Sequence, residues 1–215
     1  HLGYWELAMA AVGLAGVPIN VLVDSHADPR VTRFFNEVRM AKGSVPVPVE
    51  SVTRVYRALK HNAIVAIAVD RAVTGQGMTA TFFGQEFLAP DGHAVLARKF
   101  GATLVPMFCL KRDDGRYELV VEEPIEVVAT DDAETDIRAC VDQCLALVED
   151  RIRESPDQWF AFRPIWGVAC EDRLRSRRRR TLTWRRRSNK LAREAVNESH
   201  RLRERDGGRR GGGDS

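Results

Sequence analysis

Seven consecutive apolar residues, Ala63–Val69, constrain this chain more than any other stretch. A strand without polar alternation has no face to offer water. The run therefore predicts a central parallel strand covered by helices on both sides. It closes on Asp70-Arg71, and charged groups at the carboxyl end of a buried strand are where open α/β sheets hold ligands. Asp70 and Arg71 are thus candidate site residues, although strand ends are also ordinary loop starts.

The flanking segments fit such a sheet. Tyr4–Ala15 reads as a helix, apolar nearly all round and so expected to be buried, ended by Gly16 with Pro18 beyond. Ile19–Val23 is a short buried strand. Asp28-Pro29 opens a helix to about Ala41, with Phe34, Phe35 and Val38 turned to the core. Val45-Pro46-Val47 is a strand that its proline confines to an edge or an end. A helix over Glu50–His61, a strand over Thr79–Phe83 closed by Gly84, and a helix from Pro90 to about Phe100 follow. Two strands come next, joined by the Asp113-Asp114-Gly115 turn, and then a long amphipathic helix over Asp131–Glu154. The expected fold is α/β: a mixed, mostly parallel sheet flanked by helices.

The chain opens on His1-Leu2-Gly3-Tyr4-Trp5-Glu6. Histidine takes and returns a proton near neutral pH, and a nearby carboxylate can orient it. A five-residue separation does not share a helix face, so His1 belongs in the loop before the helix and Glu6 in its first turn. Spacing alone leaves open an ordinary surface histidine and a first-turn acid facing the helix dipole. The same holds for Arg39, which could be a helix-surface arginine in an i, i+4 pair. Phe82 and Phe83 beside a strand read equally as plain core. His93 reads as a helix-surface residue.

His1-Leu2-Gly3-Tyr4-Trp5-Glu6 resembles the His-x4-Asp/Glu motif of the lipid A biosynthesis (lauroyl/myristoyl) acyltransferases and their actinobacterial relatives, the phosphatidylinositol mannoside acyltransferases. Tyr4 stands where many members have Asn. Arg39–Gly43 resembles the family's Arg-x3-Gly segment. Asp70-Arg71 with Phe82-Phe83-Gly84, and Gly92–Ala97 behind them, resembles its Asp-x…Phe-Phe-Gly segment. Pro156-Asp157-Gln158-Trp159 resembles its Pro-x-Gln-Trp. The four follow in the family's order across roughly residues 1–166.

The resemblance implies a lysophospholipid acyltransferase-like fold with catalytic His1 and Glu6, Glu6 orienting His1. It assigns Arg39 to substrate or oxyanion binding. Asp70, Arg71, Phe82, Phe83 and Gly84 would bind substrate, and Glu86, just past Gly84, is a further candidate acid. The implied reaction moves a fatty acyl chain from acyl-CoA or acyl carrier protein to a hydroxyl of a membrane glycolipid, such as phosphatidylinositol mannoside or a lipid A precursor. It needs no cofactor beyond that donor. The implied location is the cytoplasmic face of the bacterial plasma membrane. The chain begins without methionine at the proposed base, so it reads as N-terminally truncated, and the resemblance implies a missing membrane-anchoring helix and a missing strand leading into His1.

No Gly-x-Ser-x-Gly offers a covalent nucleophile, although a hydrolase using Ser25 and His26 remains a rival reading. No glycine loop leads into Gly-Lys-Ser/Thr, which argues against a nucleotide-phosphate site. Cys109, Cys140, Cys144 and Cys170 form no Cys-x2-Cys pair and read as buried thiols; no metal site is expected. Charge divides the chain: residues 173–215 carry 16 Lys/Arg against 5 Asp/Glu, the remainder 17 against 25. Residues 1–170 therefore read as an acyltransferase domain. Residues 171–215 read as a basic, disordered tail attracted to anionic lipid. A non-catalytic basic lipid- or nucleic-acid-binding protein is the alternative; the anionic membrane surface is the favoured partner, with nucleic acid less favoured.

Overall fold

The computed structural model describes residues 1–71, 75–162 and 165–166. The expected disordered tail, residues 171–215, lies outside the described residues, as do Thr74 of the glycine loop and Cys170.

The Ala63–Val69 run is not the central strand. Only Ile64–Ala66 (β3) pairs, and it forms an edge, with Ile64 49% exposed. The centre belongs to Ile19–Val23 (β1), which is parallel to Ser44–Pro48 (β2) on one side and to β3 on the other. Ile19, Val21 and Val23 are buried. Pro46 and Pro48 sit in the other edge strand, where a missing N–H costs no ladder bond. Beyond Ala66 the apolar run leaves the sheet and carries Asp70 toward His1.

Among the described residues, parallel pairing is confined to these three strands, so the mostly parallel sheet expected from sequence is replaced by three small sheets. Met78–Phe82 (β4) and Gln85–Ala89 (β5) form an antiparallel hairpin, as do Met107–Lys111 (β6) and Tyr117–Val121 (β7). The cause is loop length, because parallel strands need a long crossover whereas two residues suffice for a hairpin. Phe83 and Gly84 both have positive φ, +50° and +72°, as a tight two-residue hairpin turn requires.

Among the described residues, five α-helices cover these sheets: Trp5–Leu14 (α1), Pro29–Ala41 (α2), Val52–Lys60 (α3), Gly92–Phe100 (α4) and Ala133–Glu154 (α5). The Asp28 side chain accepts from the Arg30 N–H at 2.8 Å with Pro29 in the first turn, as the sequence indicated. Asp132 caps α5 in the same way. One apolar cluster packs Val141, Leu145, Val148 and Ile152 of α5 against Phe82, Phe87, Ala94 and Leu2. A second packs Ala8 and Met9 of α1 against β1 and Cys109. Helix α1 is less buried than its composition suggested, since Leu7 and Leu14 are exposed. The apolar side chains of α2 also face outward, with Phe34 61% exposed and Val38 and Met40 uncovered. Among the described residues no helix is long and apolar enough to cross a membrane.

Helices α1 and α2 are joined backbone to backbone. A Cβ on Gly13 would lie 2.0 Å from the Lys42 carbonyl oxygen, and Gly43, at φ +82°, faces Gly13. This close approach fixes the two helices so that Glu6 and Arg39 can meet.

Candidate active site

His1 is held by the two ends of the domain. The Phe160 N–H donates to the His1 carbonyl at 3.0 Å, and the Gly3 N–H donates to the Gln158 carbonyl at 2.9 Å, around an antiparallel bridge between Leu2 and Trp159. The Tyr4 N–H then donates to the Cys109 carbonyl at 2.7 Å. Gly3 is at φ +64°, and a Cβ there would lie 2.1 Å from that carbonyl oxygen. A side chain at this position would break the turn that leads from His1 into α1. The Gln158 carboxamide clamps Lys111, accepting from its N–H at 2.7 Å and donating to its carbonyl at 2.8 Å. Trp159 packs on Phe82, Phe83 and Trp166. The Pro-x-Gln-Trp segment is thus a bracket for the histidine strand.

The carboxylate on His1 is that of Asp70, not Glu6. His1 Nδ1 contacts Asp70 Oδ1, with Asp70 buried and the imidazole about a quarter exposed, at 24%. A carboxylate can only accept, so this pairing puts the proton on Nδ1 and leaves the lone pair on Nε2. Glu6 is turned to Arg39 instead. Arg39 Nη2 donates to Glu6 Oε1 at 2.5 Å and Nε to Oε2 at 3.2 Å, a bidentate pair, while Nη1 donates to Asn36 at 3.1 Å. Arg39 is buried, and its guanidinium lies against the rings of Trp5 (5.4 Å) and Phe35 (5.6 Å). Trp5 also meets the His1 ring edge-on at 6.2 Å. The chain of contacts runs Asp70, His1, Trp5, Arg39, Glu6. Sequence reasoning missed Trp5 and Asn36; their signal was present, because Trp5 lies inside the histidine motif and Asn36 is one turn before Arg39.

A family profile described as bacterial lipid A biosynthesis acyltransferase matches residues 1–167, the whole region that contains these groups. The chain belongs to that family. It is similar to the phosphatidylinositol mannoside acyltransferase of Mycolicibacterium smegmatis, 25% identical over 182 residues that cover 82% of this chain and 58% of the relative. The protein of the same name from Mycobacterium tuberculosis H37Rv is 26% identical over 188 residues, covering 83% of this chain and 56% of the relative. The chain thus spans a little over half the length of these curated relatives.

The other candidate residues of this family member divide. Arg71 is exposed beside Asp70. Phe82 is fully buried core, in contact with Phe83, Phe87 and both Trp159 and Trp166. Phe83 forms the hairpin turn; its N–H donates to Glu149 at 2.6 Å and its ring lies under Arg153. Gly84 and Glu86 line a different space, an open groove of about 530 Å³ against α5 with Arg138, Asp142, Glu149 and Arg153. None of His1, Glu6, Arg39 or Asp70 lines that groove. His26 is stacked on Phe35 at 5.2 Å and the Ser25 N–H donates to Asp24, an arrangement that gives a Ser25 nucleophile no support.

His93 is not on the helix surface, being 4% exposed on the inner face of α4. Burial pushes its pKa down to about 4, offset only in part by the Pro90 carbonyl, so its ring is neutral at physiological pH. At the far end of the same helix Arg98 donates to Asp136 at 2.7 Å. This contact, with bonds from Thr130, holds that carboxyl below the usual carboxylate range.

Proposed function

We propose that this chain is the catalytic part of an acyltransferase that moves a fatty acyl group from an acyl-CoA or acyl-carrier-protein thioester to a hydroxyl of a membrane glycolipid. The observation that carries this reading is the His1–Asp70 pair beside Arg39–Glu6, inside the span matched by the family. In this mechanism His1 Nε2 removes the proton of the acceptor hydroxyl as its oxygen attacks the thioester carbonyl. Asp70 stabilises the imidazolium that forms. Collapse of the tetrahedral intermediate breaks the C–S bond, and the departing thiolate takes the proton back from His1. The proton balance closes without a covalent acyl-enzyme. Arg39 has three N–H groups committed to Glu6 and Asn36, so its role is to hold Glu6 and Trp5 beside His1.

The acceptor we favour is a phosphatidylinositol mannoside, after the name of the relatives, with a lipid A precursor second. The site of action in this reading is the cytoplasmic face of the plasma membrane. The uncovered Phe34, Val38, Met40 and Leu14 of α1 and α2 support contact with a bilayer surface. The family match argues against the non-catalytic reading, which rested on the tail. The test is a transfer assay with an acyl-CoA and an acyl carrier protein against both acceptors, followed by mass spectrometry of the lipid. His1→Ala should abolish transfer. An acyl group trapped on a Ser or Cys would overturn direct transfer, and product formation by His1→Ala would overturn the assignment of the base.

A further inference from the structure

Three soft or borderline donors meet in the interior, away from the residues assigned to catalysis. Cys140 and Cys144 lie one turn apart on α5, and His93 projects at them from α4; all three are buried. Nδ1 or Nε2 of His93 and the two Sγ atoms lie within 4.8 Å of one another. Neither nitrogen of the His93 ring makes a hydrogen bond of ordinary geometry, the nearby Pro90 carbonyl included, and both are sealed from water. A buried imidazole without a partner is costly and uncommon in a folded protein. Such a group calls for a partner that the chain itself does not supply.

We propose that His93, Cys140 and Cys144 form a binding site for a thiophilic closed-shell metal ion, with zinc first in order. The geometry supports an ion over a disulfide. Residues four apart on a helix hold their Cβ atoms about 5–6 Å apart, and a disulfide requires about 3.5–4.5 Å. An ion with bonds of about 2.3 Å to sulfur spans donors roughly 3.7 Å apart. The present separations reach that by small side-chain rotations, with α5 intact. Charge agrees as well: two thiolates and a neutral imidazole around a divalent cation make a neutral unit, which a low-dielectric interior tolerates. Binding would release two thiol protons and leave the imidazole unchanged in charge. The same donor set suits Cu(I), which also favours thiolates.

The experiment uses the full chain, purified with a reductant and dialysed, then analysed for metal by mass spectrometry. One equivalent of zinc per chain is expected. His93→Ala, Cys140→Ala and Cys144→Ala should each weaken binding at least tenfold, whereas Cys109→Ala, a buried thiol outside the cluster, should not. Should a variant fail to fold, cobalt titration of the unaltered protein decides. A thiolate-to-cobalt charge-transfer band, with Cys140 and Cys144 protected from alkylation and Cys109 unaffected, supports the site. One equivalent of copper(I) with the same residue dependence keeps the site and reassigns the ion. A folded protein that shows no cobalt–thiolate band overturns the proposal. So does metal retained undiminished by folded Cys140→Ala and Cys144→Ala.

Discussion

Asp70→Asn separates the two carboxylates that could serve His1. The substitution keeps the size of the side chain and removes its charge. Asp70 is buried and touches His1 Nδ1. A carboxylate and an imidazolium with charge centres about 4 Å apart attract by about 4 kcal/mol at an effective dielectric constant near 20. At about 1.36 kcal/mol per tenfold, loss of that attraction in the transition state slows transfer by about three orders of magnitude. A second effect accompanies it, and the two overlap in the same measured loss rather than multiplying. The Asn amide can donate to Nδ1, which moves the ring proton to Nε2 and removes the base; a comparable Asp→Asn change in a serine protease triad costs about 10⁴. The expected loss is therefore about 10³ to 10⁴ in kcat, with the thioester KM little changed and the fold intact. Glu6→Gln behaves differently: it weakens the pair with buried Arg39, costs about 1–3 kcal/mol of stability, and slows transfer far less. Thioester consumption coupled to lipid product, together with thermal unfolding of each variant, reads both quantities. A Glu6→Gln loss of 10³ with Asp70→Asn within tenfold of the parent would refute the assignment of Asp70.

Gly3→Ala should destabilise the protein by about 2–5 kcal/mol, because the left-handed backbone disfavours a side chain and the new Cβ would meet the Cys109 carbonyl oxygen; an unchanged denaturation midpoint would contradict the turn described. Asp136 has a depressed pKa when folded, through Arg98 first, so its stabilising effect is full above the ordinary Asp value and is lost as pH falls through the lower folded value. The difference in melting temperature between parent and Asp136→Asn should accordingly be constant near neutrality and shrink below about pH 4; a constant gap down to pH 2 would count against it. Ending the chain after Cys170 removes 16 of its 33 Lys/Arg and leaves an acidic remainder, and should weaken binding to anionic vesicles and its salt dependence while transfer to a detergent-solubilised acceptor persists. Vesicle binding untouched by that truncation would move the membrane contact elsewhere.

Local signals in the sequence were legible where the physics is local. Asp28-Pro29 began α2, Asp113–Gly115 turned a hairpin, and the periodic Cys140–Ile152 face made α5. What depends on neighbours was not legible. The Ala63–Val69 run suggested a centre, but a strand's place in a sheet is set by what pairs beside it, and β1 lies between β2 and β3. Gln85–Ala89 opens on Gln-Glu and carries only Phe87 among strong strand formers, so the second half of the hairpin is legible only once the positive φ at Phe83 and Gly84 gives the turn. The inward side of α2 is hidden from the sequence for a related reason. Its hydrophobic stripe is real, but the face that packs is fixed by Gly43 against Gly13 and by Arg39, leaving Phe34 and Val38 outside.

The histidine motif itself shows why proximity in sequence misled. The His-x4-Glu spacing and its resemblance to the family motif make Glu6 the expected partner of His1. Once Gly3 turns the chain into α1, the first turn of that helix points Glu6 at α2, where a buried guanidinium needs a carboxylate. A buried Arg39 without that partner would be strongly unfavourable, so Glu6 is drawn to it and His1 must be oriented by another acid. That acid arrives from residue 70, delivered by the part of the apolar run that leaves the sheet. Each distant motif thereby supplies one constraint: Arg39–Gly43 fixes α2 on α1, Asp70 sets the imidazole tautomer, and Gln158-Trp159 fastens the strand that carries His1. A substitution in any of them should disturb the geometry at His1 even where the altered side chain never touches substrate.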